Sequence, residues 1–187
     1  MDQISYIPKS TTLTTYTHSF MVGNIQDGRG GGGWVLRNER GVVILHSRRA
    51  FSGLFNKDEA NFEILKWVVE SMRSHRISNV IISGDLEAMF GAISRPDAWP
   101  SFLFYVGEIE RELVGTSGII FQKVSREENR GAMLIAQSVT RKGLTQSYVS
   151  RGHPNWFCNG ARHHDPLYGI WSFRQFATAL LCVVLGL

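Results

Sequence analysis

Cysteine is scarce in this chain, which has only Cys158 and Cys182 among its 187 residues. Two cysteines near the C-terminus do not make a disulfide framework, so we expect a reducing compartment, the nucleus or the cytoplasm. Residues 1–20 contain no basic segment followed by an apolar one, and they contain no arginine. This composition argues against a secretory signal and against a transit peptide.

Long apolar runs are also missing from the sequence. The longest one follows Gln175 and has 12 residues, whereas a helix that spans a bilayer needs about 18 to 20. We therefore expect no membrane span. We interpret residues 158–187 as a divergent tail, which is either an added helix that covers an apolar surface or sequence outside the native domain.

The overall composition is that of an ordinary globular domain, with 19% charged and 43% hydrophobic residues. A chain of this length fits one domain with a sizeable core. We assign that domain to residues 18–157 and interpret the Ser/Thr-rich residues 1–17 as a loose leader. The net charge of +4 and the isoelectric point near 9.3 are compatible with a polyanionic partner.

Three β-rich stretches open the domain. Residues 19–22 predict a first strand, and residues 33–37 and 41–47 flank a polar turn, which predicts a hairpin. A glycine run at residues 30–33 precedes the hairpin. No Lys-Ser/Thr pair and no helix follow it, so it does not match a phosphate-binding loop. We interpret the run as a flexible hairpin connection and the glycine-rich start of a strand.

Helices and strands alternate in the second half. Residues 57–75 repeat apolar side chains at intervals of three and four, which predicts an amphipathic helix. A strand at 79–83, a helix ending before Pro96, a helix from Pro100, a strand at 119–124 and a helix at 131–140 follow. The order is βββ-α-β-α-α-β-α. It predicts an α/β fold with a mixed five-stranded sheet, three antiparallel strands first, and helices packed on its faces.

Asp85 is the first candidate for a functional residue. It follows the short apolar strand at 79–83, which Gly84 and Asp85 end, and α/β proteins often bind ligands at the carboxyl ends of strands. The alternative is structural, because Asp is a preferred N-cap whose carboxylate accepts backbone N–H groups of the next helix. Both interpretations are open from the local pattern.

Five short pieces of the chain, in this order, resemble the plant ribonuclease H-like domains, also called the reverse-transcriptase-like family. The family occurs as single domains and at the ends of retroelement-derived polyproteins. The pieces are GWVLRNERG at 33–41, DEA at 58–60, SGD at 83–85, WPS at 99–101 and REENRGA at 126–132. The resemblance spans about residues 19–156 and implies a ribonuclease H-like fold.

The resemblance also implies a chemistry, the hydrolysis of RNA in RNA–DNA hybrids by two Mg²⁺ ions held by four acids. Asp85 matches the strand-four acid. Asn61 stands at the first-helix position and Met133 at the last-helix position, while the first-strand position falls on Gly23, or on Asp27 if the loop is shorter. An amide brings no charge, and a thioether is a soft ligand that suits Mg²⁺ poorly. We therefore expect a degenerate metal site with little or no cleavage.

Basic side chains near the hairpin and the last helix are candidate contacts for a nucleic-acid backbone: Arg37, Lys123, Arg126 and Arg130. Interleaved acids make dispersed surface charge the alternative. Three functions remain open. The first is binding of RNA or an RNA/DNA hybrid without catalysis. The second is an active hybrid ribonuclease with one Mg²⁺ at Asp85, Asp27 and Asn61. The third is a scaffold that binds a protein partner.

Overall fold

The computed structural model describes residues 13–21, 28–141, 143 and 145–154. Its strands are β1 (Leu13–Met21), β2 (Arg29–Arg37), β3 (Val43–Ser52), β4 (Val80–Gly84), β5 (Ile119–Lys123) and β6 (Tyr148–Arg151). Its helices are α1 (Lys57–Ser74), α2 (Glu87–Ser94), α3 (Leu103–Leu113) and α4 (Arg130–Arg141). Two 3₁₀ turns, Pro96–Ala98 and Pro100–Phe102, connect α2 to α3.

The strands form one mixed sheet in the order β5-β4-β1-β2-β3-β6. β1, β2 and β3 pair antiparallel in sequence order, while β4 pairs parallel with β1 and β5 parallel with β4. The parallel pairs are joined through helices, as parallel pairing requires long crossover connections. The predicted fold class and the predicted three antiparallel strands at the start are confirmed.

The first strand begins earlier than the sequence indicates. β1 starts at Leu13, inside the range interpreted as a leader, and residues 13–17 pair with β4. Threonine is β-branched and favours strands, but a Ser/Thr-rich stretch carries little apolar periodicity to reveal one. The pairing with β4 therefore decides where this strand begins.

A sixth strand corrects the predicted count of five. β6 pairs antiparallel with β3 at the edge of the sheet. Side chains of β3 hold it: Ser47 Oγ donates to the backbone carbonyl of Tyr148, and Arg48 Nε donates to that of Gln146 at 3.0 Å. The Arg48 guanidinium also lies 4.8 Å from the centroid of the Tyr148 ring. Four residues attached by distant partners give no local signal, which is why the sequence does not reveal this strand.

His46 is buried between β3 and β6. Its Nδ1 lies 2.6 Å from the carbonyl oxygen of Gly152, and its Nε2 lies 3.0 Å from the Tyr148 hydroxyl. Burial lowers the pKa of His46 below its ordinary value. The Gly152 carbonyl opposes this shift, and the nearby His153 and Arg48 add to it. The folded state therefore favours the neutral imidazole, which donates to the carbonyl and accepts from the hydroxyl.

The stability of the domain is expected to fall as the pH drops through about 6.5. Because the pKa of His46 is lower in the folded state, the unfolded chain binds the proton more readily. The stabilisation is complete above the unfolded pKa and is lost as the pH falls toward the folded pKa. Urea unfolding between about pH 5 and pH 8 measures this slope. His46→Gln should flatten it, and an unchanged slope in that variant would contradict the assignment.

The main core lies between one face of the sheet and α1, α2 and α3. The predicted amphipathic helix is confirmed as α1. Its N-cap Asn56 accepts from the Glu59 N–H at 2.8 Å, and the Glu59 carboxylate accepts from the Phe55 N–H at 2.8 Å. Buried strand residues meet buried residues of this helix: Trp34, Leu36, Val80 and Ile82 pack with Leu65, Val68 and Met72.

The glycine run lies within β2 and is buried, so the predicted glycine-rich strand start is confirmed, and the predicted flexible connection is wrong for these residues. A Cβ on Gly33 would lie 2.8 Å from the backbone nitrogen of Ala136 in α4. A Cβ on Gly32 would lie 3.1 Å from the Ile64 side chain of α1 on the other face. The absence of side chains in this part of β2 therefore lets helices on both faces approach the sheet closely.

Candidate active site

Asp85 lies between the end of β4 and the start of α2, and 20% of its side chain is exposed. Its Oδ2 is 3.4 Å from Nε of Arg126, and its Oδ1 accepts from Nδ2 of Asn129 at 3.4 Å. Both partners belong to the segment between β5 and α4. The carboxylate therefore faces one cation and one amide from the other side of the site.

The N-cap interpretation of Asp85 is wrong. The N-cap of α2 is Leu86, and no side chain caps this helix. The carboxylate instead contacts the segment that leads into α4, as its bonds to Arg126 and Asn129 show. A contact across 41 and 44 residues, respectively, cannot be read from the local pattern that suggested a cap.

The parallel register shows which residue of β1 lies beside Asp85. Thr17 pairs with Gly84, so the next residue of β1, His18, stands at the register position beside Asp85. Gly23 and Asp27, the two residues predicted for this role, lie outside the described residues. His18 was not among the residues predicted for this role, because the predicted strand began at residue 19.

The two helix positions carry no acid. Asn61 is buried one turn into α1, with 7% of the residue exposed. Met133 is half-buried in the first turn of α4, where its N–H donates to the Asn129 carbonyl at 3.1 Å. The neighbouring Glu59 does not replace Asn61, because its carboxylate caps the start of α1. The three family positions whose side chains the structure describes thus supply one carboxylate, one amide and one thioether.

This donor set does not fit two Mg²⁺ ions, which require several carboxylate oxygens to balance their charge. Among the described side chains, no group of three or more His, Cys, Asp or Glu is placed to hold a metal ion. The carboxylate of Asp85 already faces the Arg126 guanidinium, which would repel a divalent cation. An enzyme of the two-metal type needs charges that these positions lack.

Arg37 does not serve as a surface contact. Only 4% of this residue is exposed, so its guanidinium is not accessible to a nucleic-acid backbone. A charged residue late in a predicted strand gives no sign of burial, and the packing of β2 between helices decides it. The prediction that Arg37 binds nucleic acid is therefore wrong.

The other three basic residues lie close together along the chain, between the end of β5 and the start of α4. Lys123 Nζ is 2.8 Å from the Glu87 carboxylate, and this bond lowers the pKa of Glu87. Arg126 pairs with Asp85 and is 66% exposed, and Arg130 is half-buried as the first residue of α4. Of these three cations, Arg126 contacts Asp85, and Lys123 is paired with Glu87.

Residues 21–139 match the family model described as reverse transcriptase-like. The chain belongs to the reverse transcriptase-like family. This match confirms the resemblance that the five motifs indicated, although it does not bear on the plant branch. No curated protein matches this reverse transcriptase-like chain in sequence.

Solved ribonuclease H structures share the fold of this reverse transcriptase-like chain. RNase H1 from the halophilic archaeon Halobacterium salinarum NRC-1 is 18% identical with a TM-score of 0.59, over 70% of this chain and 98% of that one. LC11-RNase H1, isolated from compost and solved with an RNA/DNA hybrid, is 18% identical with a TM-score of 0.59, over 71% and 99%.

A viral protein gives a third match, the foamy viral protease-reverse transcriptase in complex with dsDNA. It is 12% identical with a TM-score of 0.55, over 71% of this chain and 96% of that one. Identities this low establish the ribonuclease H fold alone.

Within the described ranges, no helix is long and apolar enough to cross a membrane.

Proposed function

We propose that this chain is a ribonuclease H-type nucleic-acid-binding domain whose two-metal site is degenerate, with little or no cleavage activity. One observation carries the proposal. At the three of these family positions whose side chains the structure describes, only Asp85 is a carboxylate, and it is bonded to Arg126 and Asn129. Asn61 and Met133 occupy the other two positions.

The loss of catalysis follows from charge. In two-metal hydrolysis one ion activates the attacking water and the other stabilises the leaving oxygen, and both ions depend on carboxylates for binding. Removing one charged ligand raises the barrier by about 3 kcal/mol or more, and about 1.4 kcal/mol is a tenfold change in rate. Two missing acids therefore place hybrid cleavage far below that of a complete site.

Nucleic-acid binding does not need those acids. The backbone of a duplex is recognised mainly through its phosphates, and cations supply most of that affinity. Arg126 contacts Asp85, Lys123 and Arg130 lie at the two ends of the connection that carries Arg126, and the chain has a net charge of +4. LC11-RNase H1, which shares the fold, was solved with an RNA/DNA hybrid. An RNA/DNA hybrid or RNA is accordingly the proposed ligand.

A labelled RNA/DNA hybrid incubated with the protein and Mg²⁺ or Mn²⁺ tests the proposal. We expect the protein to retain the duplex in a salt-dependent way and not to cleave it. Asp85→Asn should therefore leave the absence of cleavage unchanged. Robust cleavage that Asp85→Asn abolishes would favour the active ribonuclease instead. The preference for the hybrid is measured against three other ligands of the same length: double-stranded DNA, double-stranded RNA and single-stranded RNA.

Failure to retain any of these ligands at low salt would favour the scaffold. The candidate surface in that case is on α3, where Leu103 is 52% exposed and Phe104 is 69% exposed. Exposed apolar side chains of this size are more typical of protein contacts than of phosphate contacts.

A further inference from the structure

Hydrogen bonds hold the backbone on both sides of Arg126 in the connection from β5 to α4. Ser125 and Glu128 bond reciprocally: the Ser125 N–H donates to Glu128 Oε2 at 2.8 Å, and the Glu128 N–H donates to Ser125 Oγ at 3.3 Å. The N–H of Val124 donates to the carbonyl of Gly84 at 3.0 Å, which ties the connection to the end of β4. The turn that carries Arg126 is therefore held beside the end of β4, next to Asp85.

The contact with Asp85 engages only one of the three nitrogen atoms in the Arg126 guanidinium. Its Nε faces Asp85, and within the described part of the chain its two Nη groups make no hydrogen bond. The residue is 66% exposed, so the open side of the fork is accessible to solvent. A guanidinium with free N–H groups can bind a phosphate, because its planar fork of donors matches the geometry of the phosphate oxygens.

We propose that Arg126 takes the place of a divalent cation at Asp85, and that Asp85 in turn limits how tightly Arg126 holds a backbone phosphate. The inference rests on the proposed function. The guanidinium neutralises the carboxylate that a metal would otherwise neutralise. Phosphate and carboxylate then compete for one cation, so the chain binds nucleic acid without a metal and with reduced affinity while Asp85 is charged.

Fluorescence anisotropy of a labelled RNA/DNA hybrid tests this competition. The Kd in EDTA should agree within about twofold with the Kd in Mg²⁺ at matched ionic strength. Asp85→Asn should tighten binding about two- to fivefold at low salt, because it releases Arg126. Arg126→Gln should weaken binding and reduce the slope of log K against log salt by about 1.

The double variant separates release of Arg126 from a simple change of net charge. If Asp85 acts through Arg126, Asp85→Asn should give no gain in the Arg126→Gln background. Glu108→Gln is the matched control, because Glu108 pairs with Lys66 between α1 and α3 and its loss removes the same charge. We expect a change below about twofold from it. An equal gain in the single and double backgrounds would overturn the inference.

A metal titration keeps the inference distinct from the proposed function. Mn²⁺ observed by electron paramagnetic resonance should show no site that depends on Asp85. A site lost in Asp85→Asn, or a hybrid affinity that rises more than tenfold with Mg²⁺, would overturn the replacement of the metal by Arg126. If no nucleic acid is retained, the proposed function and the phosphate contact both fail, and the Mn²⁺ titration still decides the role of Arg126 at Asp85.

Discussion

Gly33→Ala is expected to lower the free energy of unfolding by about 2 to 3 kcal/mol. The added Cβ would lie 2.8 Å from the carbonyl oxygen of Ala132 and 2.8 Å from the backbone nitrogen of Ala136. Both atoms belong to the backbone of α4, so no side-chain rotation relieves the contact. The helix would have to move away from the sheet, which loosens the packing of its Ala132 and Ile135 against Val35.

Gly107→Ala is the matched control, because it makes the same chemical change inside α3. No atom lies within 4 Å of a Cβ built there. Alanine is the better helix former, so this variant should gain up to about 1 kcal/mol. Urea unfolding followed by circular dichroism measures both variants. Equal changes in the free energy of unfolding for the two variants would show that α4 does not pack closely against the glycine backbone of β2.

Restoring acids is expected to create a metal-dependent nuclease. The variant combines His18→Asp, Asn61→Glu and Met133→Asp with the native Asp85. Four carboxylates would then stand at the family positions, and they can neutralise two divalent cations. We expect Mn²⁺-dependent cleavage of a labelled RNA/DNA hybrid to rise at least about 100-fold above that of the unmodified chain.

The controls for this gain are direct. EDTA should stop the cleavage, and adding Asp85→Asn to the triple variant should abolish it. A thermal melt is needed as well, because Asn61 is 7% exposed and a carboxylate there costs stability in the absence of metal. A folded triple variant that binds no Mn²⁺ would mean that the register assignment of His18, or the helix positions, are wrong.

The predicted elements that proved accurate have strong local patterns. The period of apolar residues in α1 marks a buried stripe, and the turn between β2 and β3 is marked by Asn38, whose Oδ1 accepts from the N–H groups of Arg40 and Val42. The alternation of helices and strands after three β-rich stretches leads to the fold class. These features depend on residues close together in the chain.

The features that were missed depend on distant residues. β6 is attached to β3 by bonds that join residues about a hundred positions apart, such as Ser47 with Tyr148. The burial of Arg37 and of the glycine run depends on the helices that cover β2. No pattern within a single segment reports such contacts.

The sequence by itself determined the family and the mixed sheet with its antiparallel start. Only the tertiary structure decided what Asp85 contacts and which β1 residue stands beside it. The physical reason is that a carboxylate becomes a metal ligand, a cap or half of an ion pair according to its neighbours in space. For Asp85 those neighbours include Arg126 and Asn129, which lie in the connection between β5 and α4.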